Sequence, residues 1–241
     1  MNIAIIPARG GSKRIPRKNI KNFCGKPIIA WSIEAAIKSN LFGEVIVSTD
    51  DEEIAEIARH YGASTPFLRP KKLSDDFTGT NAVVKHAIEW LKERGDNIEY
   101  VCCIYATAPL IQSKYIREGF VKLIKEKSKF SFSVTTFSFP VQRALSIKNN
   151  LIYPVWSDTI LNRSQDLVEY YHDAGQFYWG LGSSFVNDID MFNENSTPVI
   201  IPRYFVQDID TYEDWKEAES IFKAINYKST YKINKNDKST S

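Results

Sequence analysis

The chain has 241 residues, 43% of them hydrophobic and 25% charged, and is therefore long enough to bury a large core without a disulfide or a metal. Its 31 basic and 29 acidic residues give a formal net charge of +2, which argues against a general nucleic-acid-binding protein. No apolar stretch reaches the roughly 20 residues of a membrane span, and basic residues interrupt the N-terminal apolar run too early for a signal peptide. The three cysteines include the adjacent pair Cys102 and Cys103, so we predict buried thiols and a cytoplasmic protein.

In its first half, the chain alternates short apolar runs with helical patterns. Three apolar runs predict buried strands, at residues 2–7, 44–50 and 100–105. Helical patterns fill the intervals and follow the last run, at residues 27–39, 52–62, 80–95 and 113–127, with Asp50 or Asp51 as the cap of the second helix and Thr80 as the N-cap of the third. This alternation predicts an α/β fold with a parallel sheet covered on both faces, in which a ligand lies beyond the carboxyl ends of the strands.

The rhythm changes between residues 130 and 180. Apolar runs at 130–137 and 174–180 predict strands, but the residues between them are irregular and rich in aromatic side chains. We expect this segment to line a substrate pocket or to form a partner interface.

A final helix is predicted near the C-terminus. Thr211 is its expected cap, with Asp214 three residues later, as in a capping box. Apolar periodicity stops near Tyr227. We therefore predict a single domain over residues 1–226 and a flexible tail over residues 227–241.

A basic loop follows the first predicted strand. Residues 9–21 (RGGSKRIPRKNIK) contain six basic side chains and no acidic one. A glycine pair in such a loop lets backbone N–H groups converge on phosphate oxygens, and Arg9, Lys13 and Lys18 could neutralise a triphosphate. The spacing fits neither a P-loop nor a dinucleotide-binding fingerprint. From the residues alone, the loop is either a phosphate site or a solvated basic turn.

Paired carboxylates occur in two DID tripeptides, at residues 188–190 and 208–210. Asp208 and Asp210 come just before the cap of the final helix, where two carboxylates could share a hard cation such as Mg²⁺. The alternative is an N-capping acid with a spare neighbour, and a tripeptide that occurs twice is not specific. His172, in the aromatic segment, is the only histidine that we consider a site candidate. Since no pairing of nucleophile and base is visible, the pattern favours phosphoryl or nucleotidyl transfer.

Four stretches, in order along the chain, carry a resemblance to a known family. They are IIPARGGSKRIPRKN, VSTDDEEIAEIARHYGA, FLRPKKLSDDFTGT and DIDTYEDWKEAE. They resemble the CMP-sugar synthetases that activate nonulosonic acids, the acylneuraminate cytidylyltransferases, over about residues 1–225. The resemblance implies a doubly wound, mostly parallel sheet of the nucleotide-diphospho-sugar transferase type with a small β-rich insertion at 130–180. It also implies a homodimer and a Mg²⁺-dependent transfer of CMP from CTP to the anomeric hydroxyl of a nine-carbon 2-keto sugar acid, with release of pyrophosphate.

The resemblance further implies roles for individual residues. The triphosphate would be held by Arg9, Gly10, Gly11, Ser12 and Lys13. Lys18 would stabilise charge at the α-phosphate, and Asn19 would lie near the ribose or the base. Arg69 and Thr80 would frame cytosine, and Asp208 and Asp210 would bind Mg²⁺. Among these residues, we expect Arg9, Lys18 and Asp208 to be catalytic.

Within that family, two stretches resemble the branch that activates pseudaminic acid: YATAP at 105–109 and YHDAGQFYWG at 171–180. Tyr105 stands where sialic acid enzymes have a glutamine. Pseudaminic acid carries a deoxygenated C9 methyl and acylamino groups, which suit an aromatic-walled pocket. The sugar contacts expected on this basis are Tyr105, Arg143, Arg163, His172, Gln176 and Tyr178, with Arg143 or Arg163 pairing with the sugar carboxylate.

Other functions remain open at this point. The nearest is a synthetase for N-acetylneuraminic or legionaminic acid. A 3-deoxy-manno-octulosonate cytidylyltransferase is a weaker alternative, since its relatives open differently beyond the basic loop. An alternative from another class is a non-catalytic nucleotide-sugar binding module. The complete set of Arg9, Lys13, Lys18, Asp208 and Asp210 argues against that module.

Overall fold

A computed structural model describes residues 1–236, of which residues 228–236 are described only as helix. The ten strands are β1 (Asn2–Pro7), β2 (Asn22–Phe23), β3 (Lys26–Pro27), β4 (Glu44–Ser48), β5 (Tyr100–Ile104), β6 (Phe130–Thr136), β7 (Leu145–Lys148), β8 (Leu151–Pro154), β9 (Tyr171–Leu181) and β10 (Ser196–Ile200). The six α-helices are α1 (Ile28–Ser39), α2 (Glu52–His60), α3 (Thr80–Glu93), α4 (Ser113–Lys125), α5 (Gly182–Val186) and α6 (Tyr212–Asn236).

Six strands form the central sheet, in the order β10-β6-β9-β5-β1-β4. Strand β1 runs parallel to β4 and β5, and β10 runs parallel to β6. Strand β9 is antiparallel to both of its neighbours, β5 and β6. The sheet is therefore mostly parallel, as predicted, with one reversed strand near its middle.

Both faces of this sheet are covered, because successive residues of a buried strand point to opposite sides. Ala4 and Ile6 pack in one core with residues of α1, α2 and α4, while Ile3 and Ile5 pack in a second core with residues of α3 and α5. Cys102 and Cys103 divide between the two cores in the same way, and both are buried free thiols. The doubly wound α/β fold is confirmed.

The helix caps partly match the sequence prediction. Asp51 caps α2 by accepting a hydrogen bond from the N–H of Ile54 at 3.1 Å. At α6, the Asp214 N–H donates to Thr211 Oγ1 at 3.2 Å and the Thr211 N–H donates to Asp214 Oδ2 at 2.7 Å, which is the expected capping box. The prediction for α3 was wrong by one residue, because Gly79 is its N-cap and Thr80 is its first helical residue. That shift turns the Thr80 side chain into the cleft described below.

The segment between residues 130 and 180 contains two parts. Its two ends are β6 and β9, which belong to the central sheet, as the two apolar runs predicted. Residues 137–170 leave the sheet between them, and we call this segment the arm. The arm carries the antiparallel hairpin β7–β8. The last helix, α6, extends to Asn236, past the boundary that we predicted for the tail, and residues 237–241 lie outside the described residues.

Within residues 1–236, no helix combines the length and the apolar character that a membrane crossing requires.

Candidate active site

A cleft of about 580 Å³ opens at the carboxyl edge of the sheet. Pro7, the last residue of β1, and Tyr105, which follows β5, both line it. The basic loop forms one wall and the segment from Arg69 to Thr80 contributes the other. Nine of the predicted site residues meet here: Arg9, Ser12, Lys13, Lys18, Asn19, Arg69, Thr80, Tyr105 and Asp210.

The turn of the basic loop depends on the absence of a side chain at Gly10. A Cβ at this position would lie 2.7 Å from Asp51 Oδ2. Asp51 cannot move aside without cost, because it caps α2 and holds the Arg17 guanidinium, whose Nη2 lies 2.9 Å from Asp51 Oδ1. At Gly11 a Cβ would meet nothing within 4 Å. Of the two glycines, Gly10 is therefore required by the packing of the loop.

Two amides in the first turn of the basic loop, residues 9–13, donate hydrogen bonds within the protein. The Gly10 N–H donates to Asp50 Oδ1 at 3.0 Å and the Ser12 N–H donates to Gly10 O at 3.1 Å. The N–H groups of Gly11 and Lys13 have no partner among the described residues. These two donors, close in sequence and beside basic side chains, suit the oxygens of a phosphate group.

Arg9 and Lys13 face an acidic residue across the cleft. Arg9 Nη1 lies 2.7 Å from Asp76 Oδ1, and Lys13 Nζ pairs with Asp76 Oδ2. Arg9 Nη1 also donates to the Asp75 carbonyl at 2.7 Å. Hydrogen bonds from Lys13 and Arg9 lower the pKa of Asp76, so this carboxylate stays ionised. Asp76 lies in the stretch FLRPKKLSDDFTGT, but nothing in its local sequence pattern predicts a role for it.

A second cluster of charges lies where α6 begins. Lys18 Nζ donates to the Ile209 carbonyl at 2.6 Å and lies 3.5 Å from Asp210 Oδ1. Arg14, which the sequence analysis did not single out, pairs with Asp210 Oδ2 at 2.9 Å. Ile209 is only 1% exposed and anchors the segment, so the carboxylates of Asp208 and Asp210 flank a buried residue. Asp210 lines the cleft, and Asp208 is exposed just outside it.

Arg69 is a buried cation, with 5% of its surface exposed. Its N–H donates to Thr49 O at 2.7 Å, its Nε donates to Ser74 Oγ at 3.1 Å, and its Nη2 lies 3.8 Å from Asp50 Oδ1. Burial lowers the pKa of Arg69, Asp50 opposes this effect and Arg9 adds to it. A guanidinium held in this way offers fixed donors to a ligand in the cleft.

A smaller chamber of about 390 Å³ adjoins the cleft and shares Thr80 and Tyr105 with it. Tyr178 forms part of its wall: its ring centroid lies 5.3 Å from that of Tyr105, and its hydroxyl donates to Asp173 Oδ2 at 2.6 Å. Burial, with Tyr105 and Asp173 nearby, raises the pKa of Tyr178 well above its usual value. Most of the chamber lining is apolar, with Asn81 and Asp190 as further polar residues; its apolar residues are Val84, Cys103, Phe185, Ile189, Met191 and Phe192.

The remaining predicted sugar contacts do not line either cavity. Arg143 donates from Nη2 to Asn162 O at 2.6 Å within the arm, and Arg163 precedes a short 3-10 turn there. His172 packs edge-on against Phe137. Gln176 is a buried residue of β9, with its Nε2 donating to Phe205 O and its Oε1 unpartnered. None of the four is among the described residues that line the cleft or the chamber.

Comparison with known proteins shows which family this chain belongs to. Residues 3–232 match the family model described as cytidylyltransferase. This chain belongs to the cytidylyltransferase family. The pseudaminic acid cytidylyltransferase of Campylobacter jejuni subsp. jejuni is 46% identical to it over 231 residues, covering 95% of this chain and 99% of that protein. The CMP-N,N'-diacetyllegionaminic acid synthase of Legionella pneumophila subsp. pneumophila is 31% identical, covering 91% of this chain and 95% of that protein.

Solved structures support the same fold for this cytidylyltransferase. A CMP:2-keto-3-deoxy-manno-octonic acid synthetase complexed with CTP has a TM-score of 0.69 at 14% identity and covers 92% of this chain and 98% of that chain. A 4-diphosphocytidyl-2C-methyl-D-erythritol synthase from Anaerococcus prevotii has a TM-score of 0.62 at 13% identity, with 92% and 96% covered. At these identities the comparison concerns the fold, which is that of the nucleotide-diphospho-sugar transferases.

Proposed function

We propose that this cytidylyltransferase transfers CMP from CTP to pseudaminic acid and releases pyrophosphate. The observation that carries this proposal is the 46% identity to a pseudaminic acid cytidylyltransferase along nearly the whole of both chains. The geometry supports the proposal, because a cleft with several cationic side chains, suited to a triphosphate, adjoins a mainly apolar chamber with two tyrosines in its lining. The free thiols fit the cytoplasmic location expected from the sequence.

The triphosphate of CTP would bind along the basic loop. Arg9 and Lys13 would exchange the single carboxylate of Asp76 for phosphate oxygens, which carry more negative charge. The free N–H groups of Gly11 and Lys13 would add directional donors, while Gly10 shapes the loop. Asn19 supports this wall from behind, since its Nδ2 donates to Arg9 O at 2.9 Å. Arg69 and Thr80 would then contact the base.

In the proposed reaction, the anomeric hydroxyl oxygen of the sugar bonds to the α-phosphorus of CTP and loses its proton. The bond from that phosphorus to the bridging oxygen breaks, and pyrophosphate leaves with the electron pair. Lys18 would stabilise the charge that develops at the α-phosphate, since it lines the cleft and its ammonium is held there by Ile209 O. Such chemistry consists mainly of positioning and charge neutralisation.

Asp208 and Asp210 would hold Mg²⁺. They are hard oxygen donors two residues apart on either side of the buried Ile209, and Asp210 already faces the cleft. Among the described residues, no group of three or more His, Cys, Asp or Glu side chains could hold a metal alone. Two carboxylates fit Mg²⁺, which keeps waters and takes further ligands from substrate phosphates. When bound, this ion would neutralise phosphate charge.

The sugar would occupy the chamber beside the cleft, with its anomeric carbon toward Lys18. The apolar lining of Val84, Met191 and Phe192 would receive the deoxygenated methyl group. Burying the hydroxyl of a C9-hydroxylated sugar there without a partner would cost about 1–3 kcal/mol. The tyrosine hydroxyls and Asp173 are polar groups available for the acylamino substituents.

The test is pyrophosphate release from CTP with Mg²⁺, offering pseudaminic, legionaminic and N-acetylneuraminic acid separately. We expect release with pseudaminic acid and a kcat/KM about tenfold or more lower with N-acetylneuraminic acid, in line with one unsatisfied buried polar group. A preference for either other sugar would overturn the sugar assignment. Tight CTP binding without release from any of the three would favour the non-catalytic binding module.

The homodimer is part of the proposal, and the arm is its interface. A two-stranded hairpin alone is marginally stable in water, yet among the described strands β7 and β8 pair only with each other. On one face of this hairpin, Ile147 opposes Ile152, and they are 76% and 65% exposed. A second copy that covers this face would stabilise it. Any contact of the arm residues Arg143 or Arg163 with the sugar would then be made in the chamber of the other copy.

The expected mass in sedimentation equilibrium is twice the 27.6 kDa of one chain. The substitution Ile147→Glu places a charge in the proposed interface and is expected to yield monomers. Ser146→Glu introduces the same charge on the opposite face of the hairpin and serves as the matched control. A wild-type chain that sediments as a monomer would contradict the dimer.

A further inference from the structure

Asp50 lies between the two halves of the nucleotide site. It follows β4 at the carboxyl edge of the sheet and touches both the basic loop and Arg69. We propose that Asp50 is a positioning residue that couples the phosphate-binding loop to the base-binding arginine through one carboxylate oxygen. This inference rests on the proposed binding of CTP in the cleft.

The first contact of Asp50 is with the peptide group between Arg9 and Gly10. The N–H of this peptide donates to Asp50 Oδ1 at 3.0 Å, and its C=O accepts a hydrogen bond from Asn19 Nδ2 at 2.9 Å. A peptide group is planar, so partners on its two opposite sides fix its orientation. This peptide carries the Arg9 side chain on one end and leads into the free Gly11 N–H on the other. Asp50 therefore sets the direction of two phosphate-binding groups.

The second contact is with Arg69, whose Nη2 lies 3.8 Å from the same Oδ1 atom. The Arg69 side chain is only 3% exposed, and Asp50 is the one carboxylate within ion-pair distance of it among the described residues. The nearby Arg9 is also cationic and repels Arg69. Without the charge of Asp50, the repulsion between the two arginines would be uncompensated, and Arg69 would be displaced from its present position.

This placement matters for the choice of nucleotide. A guanidinium only donates hydrogen bonds. It therefore suits the N3 acceptor of cytosine and not the N3–H donor of uracil. A displaced Arg69 would lose part of this distinction, so the effect of Asp50 extends from the phosphates to the base.

The neighbouring acid, Asp51, has a different role. It caps α2 and pairs with Arg17, so it maintains the outer shape of the loop. Asp50 does not cap the helix: its oxygen is directed at Gly10 and Arg69. The two adjacent carboxylates therefore have separate roles: Asp51 binds the N-terminus of α2, and Asp50 binds Gly10 and Arg69 beside the cleft.

Two variants separate the two contacts of Asp50. Asp50→Asn keeps an acceptor oxygen for the Gly10 N–H but removes the charge beside Arg69, whereas Asp50→Ala removes both. The measurement is calorimetric binding of CTP and of UTP to the full chain, followed by kcat and KM for both substrates. Glu52→Gln is the matched control. Glu52 lies two residues from Asp50, forms a surface ion pair with Arg59 and is outside the cleft, so this substitution also removes one negative charge.

For Asp50→Asn we expect the ratio of CTP to UTP affinity to fall about fivefold or more, with CTP affinity falling less. For Asp50→Ala we expect CTP affinity to fall about tenfold or more, while the KM for the sugar stays within about twofold. An unchanged CTP-to-UTP ratio in a folded Asp50→Asn protein would overturn the coupling, whatever Asp50→Ala does. Because binding is read without turnover, a wild-type chain that binds CTP but releases no pyrophosphate would contradict the proposed function and leave this test intact.

Discussion

Lys18→Ala is expected to lower kcat about 10²–10³-fold, the loss typical when one preorganised group that stabilises transition-state charge is removed. The lysine side chain is 20% exposed and lines the cleft, where Ile209 O and Asp210 hold its ammonium. The KM for CTP is expected to change much less, because Arg9 and Lys13 would still bind the triphosphate. Single-turnover measurement of pyrophosphate release separates these two effects.

Lys21→Ala is the matched control for this loss. Lys21 lies three residues further on, with its ammonium 5.4 Å from the centroid of the Tyr212 ring, and is outside the cleft. Removing it changes the net charge equally, and we expect kcat within about twofold of wild type, as for a surface position. If Lys18→Ala also kept kcat within that range, the assignment of Lys18 to the α-phosphate would be wrong.

Removal of divalent metal with EDTA is expected to abolish turnover, and added Mg²⁺ is expected to restore it. Asp208→Asn and Asp210→Asn each remove one anionic ligand, so we expect the Mg²⁺ concentration for half-maximal rate to rise about tenfold or more. Of the two, Asp210→Asn should also affect Lys18 and Arg14, which pair with it. The measurement is the rate of pyrophosphate release as a function of Mg²⁺ concentration.

The other DID tripeptide provides the control for the metal prediction. Asp188→Asn makes the same substitution at a carboxylate that pairs with Lys85 at 2.7 Å and accepts from Asn81 at 2.6 Å. We expect its Mg²⁺ dependence to match that of the wild type. Should all three variants show the wild-type Mg²⁺ dependence, Asp208 and Asp210 would not be the metal ligands.

Much of the site was accessible from the sequence because its parts are short and local. The basic loop directly follows β1, and the carboxyl end of a parallel strand is where a ligand site forms. The capping box at Thr211 and Asp214 marked the start of α6 and, with it, the position of Asp210. Arg14 was missed although it lies in the same loop, since nothing in the local pattern distinguishes it from Lys13.

Other features depend on contacts between distant segments. Asp76 lies 63 residues from Lys13, and Asp50 lies 40 residues from Gly10. No local periodicity relates such pairs. The arm residues Arg143 and Arg163 are another case: their residue type suits a sugar carboxylate, but only the fold shows that they lie outside the cleft of their own chain.

The sequence by itself determined the order of the main strands and helices, the two-faced core and the location of the basic loop, because hydrophobic periodicity and helix caps are local properties of the chain. Only the tertiary structure decided that β9 lies antiparallel between β5 and β6 and that the arm leaves the sheet between β6 and β9. It also decided that Asp50 and Asp76 contact the basic loop. The physical reason is that strand pairing and ion pairing between distant segments depend on how the whole sheet assembles. Many pairings between distant segments are compatible with the sequence pattern, and the folded structure contains one of them.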